Sequence, residues 1–196
     1  MYEIPTSITV QDTKYHIRND GDYRVILECF VALNDVELSE TERIFACMVI
    51  FCDEIDIDDI FTFDEEHLNE FVTKMFAFFN CGEPDGVGAN AKRKVIDWEQ
   101  DQQMICAGIN KVAGTEVRAL TYLHWWTFMG YFCSIGESTL STVVSIRDKI
   151  LKGKKLEKYE TEFRRDNPQY FKWDSRTLQE KEDDELLKQL WDFGVE

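Results

Sequence analysis

Thr62-Phe63-Asp64-Glu65-Glu66-His67-Leu68-Asn69-Glu70-Phe71-Val72-Thr73-Lys74-Met75-Phe76-Ala77-Phe78-Phe79-Asn80-Cys81-Gly82 decides the fold class. Leu68, Phe71, Val72, Met75, Phe76 and Phe79 recur at intervals of three and four residues, the spacing that lines one face of an α-helix. The pattern from Thr62 to Glu65 repeats a capping box, and Gly82 supplies the residue that ends helices without a Cβ penalty. A helix with one apolar stripe must bury it, so further elements of the same kind are expected around it.

Towards the N-terminus the pattern repeats twice. Tyr23, Ile26, Leu27, Phe30 and Val31 form one stripe, with Asp20 as its expected cap. Ser39-Glu40-Thr41-Glu42 matches a capping box ahead of Ile44, Phe45, Met48 and Cys52. Before these helices, Ser7-Ile8-Thr9-Val10 and Tyr15-His16-Ile17 alternate apolar and polar residues around Gln11 to Lys14, which predicts a short β-hairpin. A two-stranded hairpin is marginal alone, so the helices are its platform.

Towards the C-terminus, Glu83 to Val95 holds Gly86, Gly88 and Pro84 and no apolar stripe, and reads as a linker or long loop. Asp97 is the expected cap of a helix carrying Trp98, Ile105, Ile109 and Val112 and ended by Gly114. Thr115 to Ile135 reads as a helix apolar on nearly every face. Leu140, Val143, Val144, Ile150, Leu156, Tyr159 and Phe163 mark a long charged helix, with an interruption at Gly153 and a stop at Pro168. Leu178 to Phe193 is a last amphipathic segment. The expected architecture is mainly α: a bundle of about six to seven helices with a short N-terminal β-hairpin. Residues 1–82 form the N-terminal part, 83–95 the linker, and 96–196 a helical region around a central aromatic helix.

A formal charge of −16 and a pI near 4.6 create a field that repels phosphate backbones, so nucleic acid and anionic membrane are not expected partners. With 44% hydrophobic and 13% aromatic residues the chain can build a packed core. Five of the six cysteines, Cys29, Cys47, Cys52, Cys106 and Cys133, sit in apolar runs and imply no disulfide framework. Met1-Tyr2-Glu3-Ile4-Pro5 lacks the basic flank and apolar stretch of a secretory leader, and the apolar run Leu120 to Ile135 is shorter than the ~20 residues that cross a bilayer. A reducing cytoplasm is the expected compartment.

Little in the sequence points to chemistry. His16, His67 and His124 are the only histidines, and no pair of ligands sits at zinc spacing. Asp53-Glu54-Ile55-Asp56-Ile57-Asp58-Asp59 resembles a calcium loop in composition but lacks the glycine that its turn requires, and is read as a solvated loop. Gly82 to Lys94 lacks the Gly-Lys-Ser/Thr of a phosphate loop, and there is no Gly-x-Ser-x-Gly. No catalytic residue, cofactor or metal is expected, and the chain is not expected to be an enzyme.

Two surfaces are candidates for binding. Tyr122, His124, Trp125, Trp126, Phe128, Met129 and Phe132 crowd aromatic area that must be packed away, either as a core helix or partly as an interface with a partner or subunit. Positions 147 to 165 carry 8 bases against 4 acids, whereas positions 1 to 82 carry 5 against 18. Arg147, Lys154, Lys155 and Lys158 are therefore either a solvated face or a docking segment for an acidic partner.

Ile96-Asp97-Trp98-Glu99-Gln100-Asp101, then Leu123-His124-Trp125-Trp126-Thr127-Phe128, Ser145-Ile146-Arg147 and Lys155-Leu156-Glu157-Lys158-Tyr159-Glu160 together resemble a phage and prophage family named after the fifteenth gene product of a Listeria phage. The resemblance implies a product of the tail module of long-tailed phages, encoded near the tape measure protein. The function it implies is a tail assembly chaperone that binds the tape measure protein and/or tail tube subunits in the host bacterial cytoplasm. The alternative is a structural tail or adaptor component retained in the virion. Self-association into a homo-oligomer is left open.

Overall fold

The computed structural model describes residues 3–82 and 95–172. The amphipathic segment expected at Leu178 to Phe193, and the linker apart from Val95, lie outside the described residues.

The chain begins with the hairpin. Strands β1 (Ser7–Val10) and β2 (Thr13–His16) pair antiparallel, with Ile8 opposite Tyr15 and Val10 opposite Thr13. Gln11 and Asp12 make the turn with φ of 45° and 64°. Two left-handed residues suit the twist of the strands. Ile8, Val10 and Tyr15 face inward, and the Tyr15 ring meets Phe71 edge-on at 5.3 Å.

Helices α1 (Tyr23–Asn34) and α2 (Glu40–Phe51) pack side by side over Ile26, Cys29, Cys47 and Met48, all fully buried. Their starts obey local capping chemistry. Asp22 accepts from the Arg24 amide, so the cap lies two residues after the expected Asp20, which takes a left-handed φ of 53°. Ser39 and Glu42 form the expected reciprocal capping box at α2. The far end of α2 is closed by Arg18, whose guanidinium donates to the carbonyls of Val49, Ile50 and Cys52 at 2.9 to 3.0 Å and pairs with Asp53.

The acidic stretch after α2 is more ordered than its reading as a solvated loop. Asp56 accepts from the Asp58 and Asp59 amides, Asp59 reaches back to the Asp56 amide, and a single helical turn, α3 (Ile57–Ile60), results. Next, α4 (Glu65–Phe79) is capped by Asp64 and buries Phe71, Met75, Phe78 and Phe79. Gly82, at φ 83°, returns its amide to the Ala77 carbonyl, which closes the helix end as expected.

After residue 95, Asp97 does not start a helix. Its carboxylate accepts from the Glu99 and Gln100 amides to form a turn, and α5 (Gln102–Ala113) begins after Asp101 and ends at Gly114. Helices α6 (Trp125–Cys133), α7 (Thr139–Leu151) and α8 (Lys158–Asp166) complete the set. The expected interruption at Gly153 separates α7 from α8, and Pro168 opens a final 3₁₀ turn, Pro168–Phe171. The protein is mainly helical, with a short N-terminal two-stranded hairpin. A single buried cluster contains residues from both sides of the segment 83–95, running from Ile8 to Leu140.

Candidate partner-binding site

The aromatic stretch was expected to lie on one helix from Thr115 to Ile135, and this is corrected by the backbone. Val117–Ala119 form a 3₁₀ turn, Leu120 is extended, and the helix starts only at Trp125. The reason is competition for backbone hydrogen bonds. The Leu123 amide donates to the Asp22 carboxylate at 2.9 Å, and the Leu123 carbonyl accepts from the Tyr23 amide at 2.9 Å. Arg24, capping with Asp22, also reaches the Leu120 carbonyl at 2.7 Å. The start of α1 thus holds this segment in an extended form.

His124 then becomes the cap of α6. Its Nδ1 accepts from the Trp126 amide at 3.0 Å, which leaves Nε2 as the donor to the Pro5 carbonyl at 2.9 Å. The ring is neutral in this arrangement, and burial pushes its pKa below the ordinary histidine value. Gly21 makes the space: a Cβ there would lie 2.9 Å from the Phe78 ring and 3.1 Å from His124 Nε2, at a φ of 79°.

Both indoles close the end of another helix. Trp125 Nε1 donates to the Phe79 carbonyl at 3.0 Å and Trp126 Nε1 to the Phe78 carbonyl at 2.9 Å, which also takes the Cys81 amide, so adjacent tryptophans serve two carbonyls at the end of α4. Trp125 also packs with Phe128, Phe30 and Trp98.

Of the candidate aromatic residues, His124, Trp125 and Phe128 are buried. Trp126, Met129 and Phe132 are partly buried against the core, and Tyr122 is exposed, with its hydroxyl donating to the Asp20 carbonyl.

The basic segment divides in two. Arg147 is buried, 4% exposed, and its guanidinium donates to both oxygens of Asp101 and to the carbonyls of Val95 and Tyr170. Lys154, Lys155 and Lys158 face solvent. Between them Lys149 pairs with the buried Glu160, joining α7 to α8, and this hydrogen bond holds the Glu160 carboxyl below its usual range.

Sequence reasoning missed an apolar corner. Phe61 is 72% exposed, follows the buried Ile60, and meets Phe45 of α2 edge-on at 6.0 Å, with Ile57 beside it at 47% exposure. The Asp56 to Asp59 capping pair was the available signal, because a helical turn starting there turns Ile60 inward and leaves Ile57 and Phe61 out. Asp53, Glu54, Asp56, Asp58 and Asp59 surround this corner in the sequence. Isolated exposed apolar residues are ordinary, but Ile57 and Phe61 exposed together, with the half-buried Phe45 against Phe61, form a surface suited to a partner.

Among the described residues no group of three or more His, Cys, Asp or Glu side chains is placed to hold a metal ion, and no helix is long and apolar enough to cross a membrane. All six cysteines are free thiols, with Cys29, Cys47, Cys52 and Cys106 buried. Residues 1–171 match the family model described as bacteriophage Gp15 protein. No curated protein and no solved structure matches the chain.

Proposed function

The chain belongs to the bacteriophage Gp15 protein family, and from that premise we propose that it is a non-enzymatic tail assembly chaperone. It binds the tape measure protein and/or tail tube subunits in the host bacterial cytoplasm while the tail is built. The observation that carries this reading beyond the family is the corner of Phe45, Ile57 and Phe61, an apolar surface on an otherwise acidic chain of net charge −16.

A long helical partner exposes an apolar stripe that aggregates unless it is covered. The corner offers such a stripe a place for a few aromatic and aliphatic contacts, while the surrounding carboxylates keep the complex soluble. A small patch gives modest affinity, and repetition along a partner multiplies it while each copy remains displaceable. This suits temporary cover.

Co-expression of the chain with the tape measure protein tests the reading: a soluble complex is expected, and the absence of any association removes it. Mass spectrometry of purified particles separates this function from its rival. A chaperone is absent from finished virions, whereas presence at a defined copy number makes the chain a structural tail or adaptor component.

A further inference from the structure

The basic surface formed by Lys154 and Lys155 in the connection before α8 and by Lys158 in its first turn lies near the point at which the described chain ends. Lys155, Leu156, Lys158, Thr161 and Arg165 line a shallow depression of about 620 Å³, whose carboxylates are Glu157 and Glu162. Lys154, Lys155 and Lys158 make no ion pair among the described residues, and Tyr159 is 63% exposed next to them. On a chain of net charge −16, a face that combines unpaired ammonium groups with an exposed ring favours an acidic, partly apolar segment.

Such a segment follows in the same chain. Glu180, Glu182, Asp183, Asp184 and Glu185 are followed by Leu186, Leu187, Leu190, Trp191 and Phe193, so acid and apolar residues stand in one short stretch. Its tether is fixed close to the basic face. The Tyr170 carbonyl is held by Arg147, the Lys172 carbonyl accepts from Gln100 at 2.8 Å, and the Phe171 ring meets Phe163 of α8 edge-on at 6.3 Å. At up to ~3.3 Å per residue, the chain between Lys172 and Glu182 reaches ~30 Å, more than the ~13 Å length of α8.

We propose that the acidic segment Glu180 to Glu185, with the apolar residues that follow it, docks in its own molecule on the basic surface of Lys154, Lys155 and Lys158 at the start of α8. The tether supplies an effective concentration in the millimolar range, so individually weak pairs suffice. An acidic partner seeking Lys155 and Lys158 must displace this segment first. The inference is independent of any role in tail assembly.

A zero-length carbodiimide, which joins lysine amines to carboxylates in direct contact, tests it on the full chain. Mass spectrometry of the monomer band is expected to find Lys155 or Lys158 linked to carboxylates between Glu180 and Glu185, with the yield lost at high salt. The variant Lys155→Glu/Lys158→Glu is expected to lower the yield of links from the neighbouring Lys152 and Lys154 about fivefold without changing the melting temperature. Adding Asp183→Lys/Asp184→Lys is expected to restore linkage through the exchanged charges. Absence of these links, their confinement to a dimer band, or failure of the charge exchange to restore them overturns the proposal.

Discussion

Arg147 and Asp101, on α7 and at the start of α5, form a two-pronged ion pair with N–O distances of 2.6 and 2.9 Å, both side chains at most 4% exposed. The pair joins two of the sequence motifs by which the family was recognised. Asp101 Oδ2 also accepts from the Asp97 amide, and Arg147 holds the Tyr170 carbonyl, so one guanidinium fixes the turn before α5 and the chain after α8.

Removing one partner leaves the other charged and buried. Asp101→Ala or Arg147→Ala is expected to cost about 3–5 kcal/mol in urea unfolding. Arg147→Lys is also expected to destabilise, because an ammonium cannot serve Asp101 and the Tyr170 carbonyl in the fixed plane of a guanidinium. A loss under ~1 kcal/mol for all three contradicts the assignment of this pair as a structural tie.

His124 makes stability depend on pH. Burial lowers its pKa in the folded state, while the unfolded chain titrates near the ordinary histidine value of about 6.5. The folded state therefore binds fewer protons, and the contribution of the neutral ring is full above that pH and lost as pH falls through it. His124→Asn keeps a capping oxygen but has no such titration. The difference in melting temperature between the parent and this variant is expected to shrink from about pH 7.5 to about pH 5.5; a constant difference refutes it.

Gly21→Ala places a methyl group against Phe78 and His124 at a positive φ. The expected penalty exceeds ~1 kcal/mol, read as a lower denaturation midpoint with an unchanged slope.

The indole donors are separable. Trp125→Phe keeps most of the buried ring but leaves the Phe79 carbonyl without its partner, at an expected ~1–3 kcal/mol. Trp126→Phe is expected to cost less, since Trp126 is only partly buried and the Phe78 carbonyl keeps the Cys81 amide as a donor. Thermal melts of the two variants rank them.

Phe61→Ser tests the apolar corner. With Phe61 72% exposed, stability is expected to stay within ~0.5 kcal/mol, while the proposed complex with the tape measure protein is expected to weaken by at least about fivefold in co-purification. Unchanged binding moves the contact surface elsewhere.

Much of this fold is written locally. The hairpin follows from alternation, the start of α2 from Ser39 and Glu42, and the ends of α4 and α5 from Gly82 and Gly114, because caps and turns are decided by neighbours in sequence. The break before Trp125 was not legible. An apolar window from Leu120 onward has the composition of a helix, and only the remote Asp22, Tyr23 and Arg24 draw its backbone groups away. The same holds for Arg147, whose position in a run of bases suggests a solvated charge and whose partners lie far off in the chain. Phe61 escaped notice for the opposite reason: a single turn of helix is too short to show a stripe.

The bond from His124 to the Pro5 carbonyl has a consequence during synthesis. A ribosome delivers Pro5, just ahead of β1, long before the imidazole that holds it, and the indoles that bind the end of α4 follow directly after. The early helices and hairpin, though packed on one another, lack the contacts from residues 124 to 126 until translation has passed the middle of the message. A protein proposed to shelter others thus completes its own core only once the residues around His124 have been made.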